Sequence, residues 1–548
     1  MQTISEKRTM NDNSQITSFM KTGFAKSVPM AFLSALIVGI FMSQAVAAAE
    51  GSSSPPKDDG EITLMQAVKQ TLIKQPSIHL IETQVKTRRG KLQEAAGKFD
   101  WVLGSSISIA DENTPLGELL RSSTGESVSE TGEIIYGLNL DKKLRSGISL
   151  SPNIEMTRTA DHSFGWQTTN EAGVNFTVTM PLLRGRGKAA AAADEMAAGA
   201  DLESELLTLR HTISEGVLET VMGYWNYRTA QEKLNILKDS ESRAGGLIDV
   251  VQQLVDADIR PSADMYQLKA NLADKSASRV AAAQVLLEAR HSLGLAMGLL
   301  SEQIEVLPAP ADPFPGDASQ NIPVPFTPKG FVELAREHRT DLLASRKKED
   351  SAKILQVWAE NNKKPRVDLI LTAGYSGLDE GDSFHNATGS FYDNTGGLNT
   401  LAALQFQWPF KNNMAAGRLV QQKATYQRAV IASQDLERKI SSGVAVAVHD
   451  LKRSYQELQS TREAVIFYKK AVETENLKLR SGMSTVIDII TLEDRLTISL
   501  LSELRSRQNY ANTLINLRFK TGTLISKGKD GSAVDKKTLT SIPSLEKG

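Results

Sequence analysis

Ser481-Gly482-Met483-Ser484, set between two long periodic stretches, decides how this chain folds. Upstream, Leu436, Ile440, Val444, Val448, Leu451, Tyr455 and Leu458 recur at steps of three or four, which puts them on one face of an α-helix. Downstream, Val486, Ile489, Leu492, Leu496, Leu500 and Leu504 begin a second helix with the same spacing. Two helices this long with one short break must fold back on each other. The stretch from about Ile431 to Gly522 is therefore a helical hairpin with its tip near 481–484.

The chain contains this hairpin twice. A shift of 224 residues takes Asp264 to Asp488, Leu268 to Leu492, Leu272 to Leu496, Leu293 to Leu517 and Gly298 to Gly522 without a gap. Shared leucines alone would mean little, but a shared break, an Asp just after it and a terminal Gly in one register indicate duplication. Each half is too elongated to bury its apolar stripe alone.

Composition narrows the function classes. The 548 residues carry a net charge of -1 with 23% charged residues, which favours neither nucleic acid nor an acidic substrate. The absence of cysteine removes disulfides, thiolate catalysis, thiolate metal sites and a lipid-bearing N-terminal Cys. Lys21 and Lys26 precede an apolar run from Val28 to Met42 and the small residues Ser43 to Ala49, the pattern of an export signal over 1–49 cut after Ala47 or Ala49. The run is shorter than the ~20 residues a helical span needs.

A mobile leader over 50–60 is followed by a first repeat over 61–300. Its opening helix starts at Ile62, with Thr63 placed to cap it and Pro76 to interrupt it, and ends near Lys98. From Trp101 the period changes to two. Ser106 to Ile109, Ile135 to Leu140, Gly147 to Ser151 and Val174 to Thr179 alternate apolar with small or polar residues, as half-buried strands and membrane-barrel strands both do. Polar loops are expected over 111–132 and 157–170. A very long helix from Lys188 to about Ala257 then leads to a tip near 258–261 and a return helix from Ser262 to about Leu299.

Prolines from Pro308 to Pro328 mark an extended linker over 301–328. The second repeat, over 329–522, begins with a helix capped by Thr327-Pro328 and running to about Lys363. Val367 to Tyr375 and Leu401 to Trp408 alternate again around a Gly/Asn/Asp-rich loop. The tail over 523–548 reads as disordered.

The order of elements is helix, strands, long helix, tip and long helix, then the same again. With the Pro181-Leu182-Leu183-Arg184-Gly185-Arg186-Gly187 corner, the Trp408-Pro409-Phe410 corner, Tyr224-Trp225, and Gly482 to Leu496, it resembles the outer-membrane efflux protein family, to which TolC belongs. The resemblance covers about Glu61 to Gly522. It implies a mainly α fold with a β part, duplicated helix-strand-helix hairpins, and a homotrimer. In such a trimer a shared outer-membrane β-barrel continues into a long periplasmic α-helical barrel. Physics agrees that closure needs other copies, since open strand edges are not tolerated in lipid. Four strands per protomer would give about 12 in a trimer. The alternating segments between Glu133 and Thr159 depart from that pattern, either extending the rim or forming a separate hairpin.

The resemblance also implies a passive exit duct of a tripartite efflux or type I secretion system, fed through a periplasmic adaptor (membrane fusion) protein by an inner-membrane transporter. It places a periplasmic gate at Asp488, with Asp264 as its counterpart. The second acidic position of the family falls here on Thr491, which shifts that role toward Glu493 or Asp494. Asp488 reads equally well as an N-terminal helix Asp favoured by the dipole. Adaptor docking is implied at Asp258, Ile259, Arg260 and Pro261 and at Gly482 and Met483. The corners Pro181, Arg184, Gly185, Arg186 and Gly187, and Trp408, Pro409 and Phe410, turn the chain from strand to helix.

No catalytic constellation, cofactor site or metal site is expected. The seven histidines, His79, His162, His211, His291, His338, His385 and His449, lack ligand spacing. Two competing readings are an exported periplasmic coiled-coil scaffold without a pore and an envelope hydrolase with helical arms, the latter disfavoured by the missing nucleophile and base. The cargo is not legible.

Overall fold

The computed structural model describes residues 60–161, 167–315, 327–392, 396–525 and 534–544. The export signal, the leader up to residue 59, His162, Pro323 and Pro325 lie outside them.

The first repeat opens with β1 (Glu61–Ile62) and α1 (Leu64–Lys74). Thr63 caps α1 reciprocally: its hydroxyl accepts the Gln66 N–H at 3.3 Å, and the Gln66 side chain accepts the Thr63 N–H at 2.8 Å. Pro76 starts a separate helix, α2 (Pro76–Gly97), because a first-turn proline has no helical N–H bond to lose. Next come β2 (Trp101–Pro115), α3 (Glu118–Thr124), β3 (Val128–Lys143), β4 (Ser149–Asp161) and β5 (Thr169–Pro181). Helix α4 (Lys188–Ala191) precedes α5 (Ala193–Asp256), whose 64 residues span about 96 Å at ~1.5 Å each. The chain returns along α6 (Asp264–Ala296) to α7 (Ser301–Glu305) and β6 (Ala309–Pro310).

The second repeat holds α8 (Pro328–His338), α9 (Thr340–Asn362), β7 (Arg366–Glu380), α10 (Phe384–Gly389) and β8 (Gly396–Gln407). The 68-residue α11 (Asn413–Arg480) and α12 (Val486–Lys520) form its hairpin. Thr327 occupies the N-cap position of α8, but its side chain makes no cap bond.

Three expectations need correction. Six strands, not four, make one antiparallel sheet in the order β2-β3-β4-β5-β7-β8, so the alternating segments between Glu133 and Thr159 lie inside the sheet. The two polar loops are shorter than read, because strand pairing continues to Thr114↔Ser129 and Thr159↔Thr169 through residues of low strand propensity. The tail is not disordered where it is described. There α13 (Lys536–Thr540) buries Leu539 completely, and the Arg518 guanidinium donates to Ser541 O at 2.8 Å and Ile542 O at 3.0 Å.

A small parallel ladder, Glu61↔Ala309 and Ile62↔Pro310, ties the linker to the start of the first repeat. Asp312 sits at its end. Its carboxylate accepts the Leu64 N–H at 2.6 Å and the Lys536 ammonium at 2.6 Å, and lies 3.1 Å from the Tyr224 hydroxyl. The core beneath includes Leu64, Val68, Val221, Tyr224, Trp225, Leu293 and Ile515, all essentially buried.

Both hairpins end the same way. Gly298 has φ +72, and a Cβ there would lie 2.5 Å from Lys74 O at the end of α1. Gly522 has φ +71, and a Cβ would lie 2.6 Å from the His338 carbonyl carbon at the end of α8. A left-handed glycine pressed against a helix terminus thus recurs at positions 224 residues apart.

Candidate functional site

The six-stranded sheet has two chemically distinct faces. One interstrand row runs Leu138, Ile154, Val174, Tyr375 and Leu398 through five strands. Others on the same face hold Ile107 beside Tyr136 and Met156, and Val178 beside Leu371 and Ala402. The opposite face carries Gly104, Asn139, Asn153, Asn175, Gly374 and Asn399, one residue from every strand in a single row. Beside that row lie Ser106, Gly137, Glu155, Gly173, Ser376 and Gly397. Period-two alternation in register across six strands produces one apolar and one polar wall. The apolar face leaves Leu103, Ile109, Leu404 and Phe406 largely exposed on the outermost strands, β2 and β8, each of which pairs on one side only among the described residues.

At the helix-proximal end, Trp101 is half exposed with the Lys142 ammonium 5.4 Å from its ring centre, and Trp408 and Phe410 are exposed. Aromatic rings and a long basic side chain at the edge of an apolar band suit a membrane interface. The corner itself is tightly built. Gly185 and Gly187 take φ +87 and +86, Gly185 N–H donates to Asn361 Oδ1 at 2.8 Å, and Gly187 N–H donates to Ser146 O at 2.8 Å. Arg184 is half-buried and Arg186 exposed, while Pro181 closes the β5–β7 ladder opposite Asp368. After Pro409, Asn412 turns the chain with φ +42 and donates to Lys363 O at 3.2 Å.

At the other end of the helices, the two tips meet. Asp258 takes φ +57, Ile259 and Pro261 are exposed, and the Arg260 guanidinium donates to Ser484 O across to the second tip. Arg260 also lies 4.0 Å from Asp264. Gly482 takes φ +69 and Met483 is 73% exposed. Thr485 and Asp488 form a reciprocal cap for α12: the Thr485 hydroxyl donates to Asp488 Oδ2 at 2.6 Å, and Asp488 N–H donates to the Thr485 hydroxyl at 3.2 Å. Hydrogen bonds from the Thr485 hydroxyl and backbone hold the Asp488 carboxyl below its usual range, so it stays ionised at neutral pH.

Thr491 donates to Ile487 O within its own helix at 2.8 Å. Glu493 is engaged by Arg243 at 2.8 Å and Asp494 by the Lys275 ammonium, so α12 is pinned to α5 and α6 of the first hairpin. Ser240 and Thr497 hydroxyls, 3.0 Å apart, add to the seam, above an apolar cluster of Val251, Leu268, Leu479, Val486 and Ile489.

No protein-family model matches the sequence. The Vibrio cholerae outer membrane protein TolC is 23% identical over 313 residues, which cover 56% of this chain and 68% of that protein. The outer-membrane channel OprN superposes with a TM-score of 0.60 at 15% identity, over 84% of this chain and 90% of that one. The Campylobacter jejuni CmeC outer membrane channel gives 0.60 at 14% identity, over 84% and 85%. VceC from Vibrio cholerae gives 0.58 at 14%, over 84% and 96%.

The chain is TolC-like in sequence and fold. The relatives themselves are described as an outer membrane protein and as outer-membrane channels. Among the described residues no helix is long and apolar enough to cross a membrane. Among them, too, no three metal-ligating side chains cluster.

Of the residues singled out in the sequence, the structure brings Arg260 and Asp264 together with the Ser484 end of the second tip. It sets Asp488 into its own helix cap and leaves Thr491 on an exposed face. Arg243 and Lys275, which bind the hairpins together, carry no sequence signal, since a lone cation on a long polar face has no partner until the second hairpin is placed. Asp488 was legible as an N-terminal helix Asp, but its pairing with the Thr485 hydroxyl was not.

Proposed function

We propose that this chain is one third of an outer-membrane exit duct. Three copies share a β-barrel, and their hairpins form a periplasmic helical tunnel. An adaptor docks at the tips and an inner-membrane transporter supplies the cargo. The observation that carries the reading is the sheet: an apolar face running through all its strands, two edges unpaired among the described residues, and a helical extension on the order of 100 Å long. Lipid does not tolerate an open edge, so β2 of one copy must pair with β8 of the next.

The tips supply the chemistry for the remaining roles. Asp488, ionised and exposed, would repeat three times around the axis and favour cations at the periplasmic entrance. Ile259, Met483 and Ile487 are exposed apolar side chains at that end, where an adaptor would cover them. The purified full-length chain in detergent should run as a trimer and, in planar bilayers, open single channels. A monomer recovered in the soluble periplasmic fraction would instead support the pore-free scaffold and end this reading.

A further inference from the structure

We infer that the assembled duct has an eighteen-stranded membrane barrel, about as wide as the helical tunnel below it, because the β3–β4 hairpin is part of the lipid-facing wall. The inference rests on the trimeric duct proposed above, and it adds the width of that duct at the membrane.

The hairpin's position is the first ground. β3 and β4 are inserted between β2 and β5, pairing with them along nearly their full lengths, from Trp101↔Lys142 to Pro115↔Val128 on one side and from Ser149↔Thr179 to Thr159↔Thr169 on the other. If the hairpin were folded away, β2 and β5 would lose every interstrand bond that now links them to the sheet on those sides. The β3–β4 turn is also seated in the strand-to-helix corner. Ser146 O accepts the Gly187 N–H, Gly147 at φ +95 packs so closely on the Gly185 carbonyl that a Cβ would collide with it, and Arg145 makes a two-pronged pair with Glu195 at 2.7 Å.

Chemical phase is the second. Ile134, Tyr136, Leu138 and Leu140 of β3, with Leu150, Ile154 and Met156 of β4, fall on the apolar face. Gly137, Asn139, Ser151, Asn153 and Glu155 fall on the polar one. A hairpin resting in water at the rim has no need for an apolar face in phase with its neighbours. From Trp101 to Ile109 the apolar band is about nine residues long, which matches the ~9–11 that a tilted strand needs to cross the hydrocarbon.

Size is the third. At strand spacings of about 4.8 Å and tilts near 40°, eighteen strands give a circumference of roughly 110 Å, whereas twelve give about 75 Å. Near the sheet each protomer presents α2, α5, α9 and α11 side by side. Twelve such helices in a trimer, about 8–10 Å apart, ring roughly 95–120 Å. Eighteen strands therefore continue the helical tunnel without a step, and twelve would narrow it by about a third.

Electron cryomicroscopy of the full-length trimer in lipid nanodiscs tests this directly. The expected result is eighteen strands, with Cα atoms of Asn153 in the three copies about 30 Å apart. A trimer whose wall has twelve strands, with residues 128–161 outside it, overturns the inference and leaves the duct standing. A monomer overturns both. As a second measurement, the chain has no cysteine of its own, so Glu155→Cys and Ile154→Cys each present one thiol. A bulky water-soluble maleimide should lower single-channel conductance through Glu155→Cys and leave Ile154→Cys unmodified in the membrane. Equal modification of both sites, or no effect on conductance from either, refutes the wall assignment.

Discussion

Asn in place of Asp312 should loosen three distant parts of the chain at once. Asp312 is 8% exposed, and its carboxylate joins the start of α1 through the Leu64 N–H, the linker through its own backbone, and the C-terminal segment through Lys536. The Tyr224 hydroxyl accepts the Asp312 N–H at 2.9 Å and closes the network. An amide has the same shape, but with its oxygen on Leu64 it turns an NH2 toward the Lys536 ammonium, donor against donor. A hydrogen bond to a charged group contributes about 1.5–3 kcal/mol. Lys536 is 59% exposed, and solvent screening of that pair puts the expected loss near the low end, about 2 kcal/mol. If opening is local, amide exchange should quicken roughly thirtyfold. Hydrogen-exchange mass spectrometry of the trimer should show this in peptides covering 61–72, 307–315 and 534–544, and leave the middle of α5 unchanged.

The same latch predicts a pH dependence. Burial pushes the Asp312 carboxyl up, but the Leu64 N–H, the Lys536 ammonium and the Tyr224 hydroxyl outweigh it and hold the carboxyl below its ordinary range. A lowered folded pKa gives stability that is fully present above the unfolded value of about 3.9 and is lost as pH falls through the folded one. Protection of the three segments should be flat from pH 5 to 8 and fail only in stronger acid. Unchanged exchange in all three segments of Asp312→Asn, with the trimer intact, would refute the latch.

Gly298→Ala forces a Cβ to 2.5 Å from Lys74 O at positive φ and should destabilise the α1–α6 junction by about 1–3 kcal/mol, read as a lower midpoint of thermal unfolding. Asp488→Asn should reduce the cation preference of single channels if Asp488 is a gate. Thr485→Val, which removes the cap hydroxyl and keeps the charge, should leave that preference in place, and equal effects of the two would reduce Asp488 to a helix cap. Because Asp488 titrates below its ordinary range, cation preference should not change between pH 5 and 8. Arg243→Ala with Lys275→Ala removes both cations that bind Glu493 and Asp494, and should raise amide exchange near both tips while leaving the sheet protected.

The helices and their duplication were legible because apolar stripes hundreds of residues apart share one period and one register. The alternating segments were legible too, including Ile135 to Leu140 and Gly147 to Ser151. Their membership of one sheet was not, since alternation tells which face a side chain takes but not which strand lies beside it. Pairing at Leu138↔Ile154 and Ile154↔Val174 supplies that information. The tail was misread for a related reason. Its few apolar residues, such as Leu539, look isolated in sequence; Leu539 is buried in the main apolar cluster, and Arg518, on a helix completed before the tail begins, bonds Ser541 and Ile542 beside it. Asp312 carried no signal either, as one of two acids scattered among prolines.

Glycine on one strand and asparagine on the next have a consequence for whatever passes through. The Asn139 side chain lies across Gly104, and that of Asn175 across Gly374, in each case filling the space a Cβ would need. These amides therefore recline along the surface and do not stand up toward the axis. In the proposed duct this row would make a smooth, uncharged band of the bore between Asp141 and Glu155 in the adjoining rows, wetted by groups that both give and accept hydrogen bonds. At that band cargo would meet neither a foothold nor a sieve.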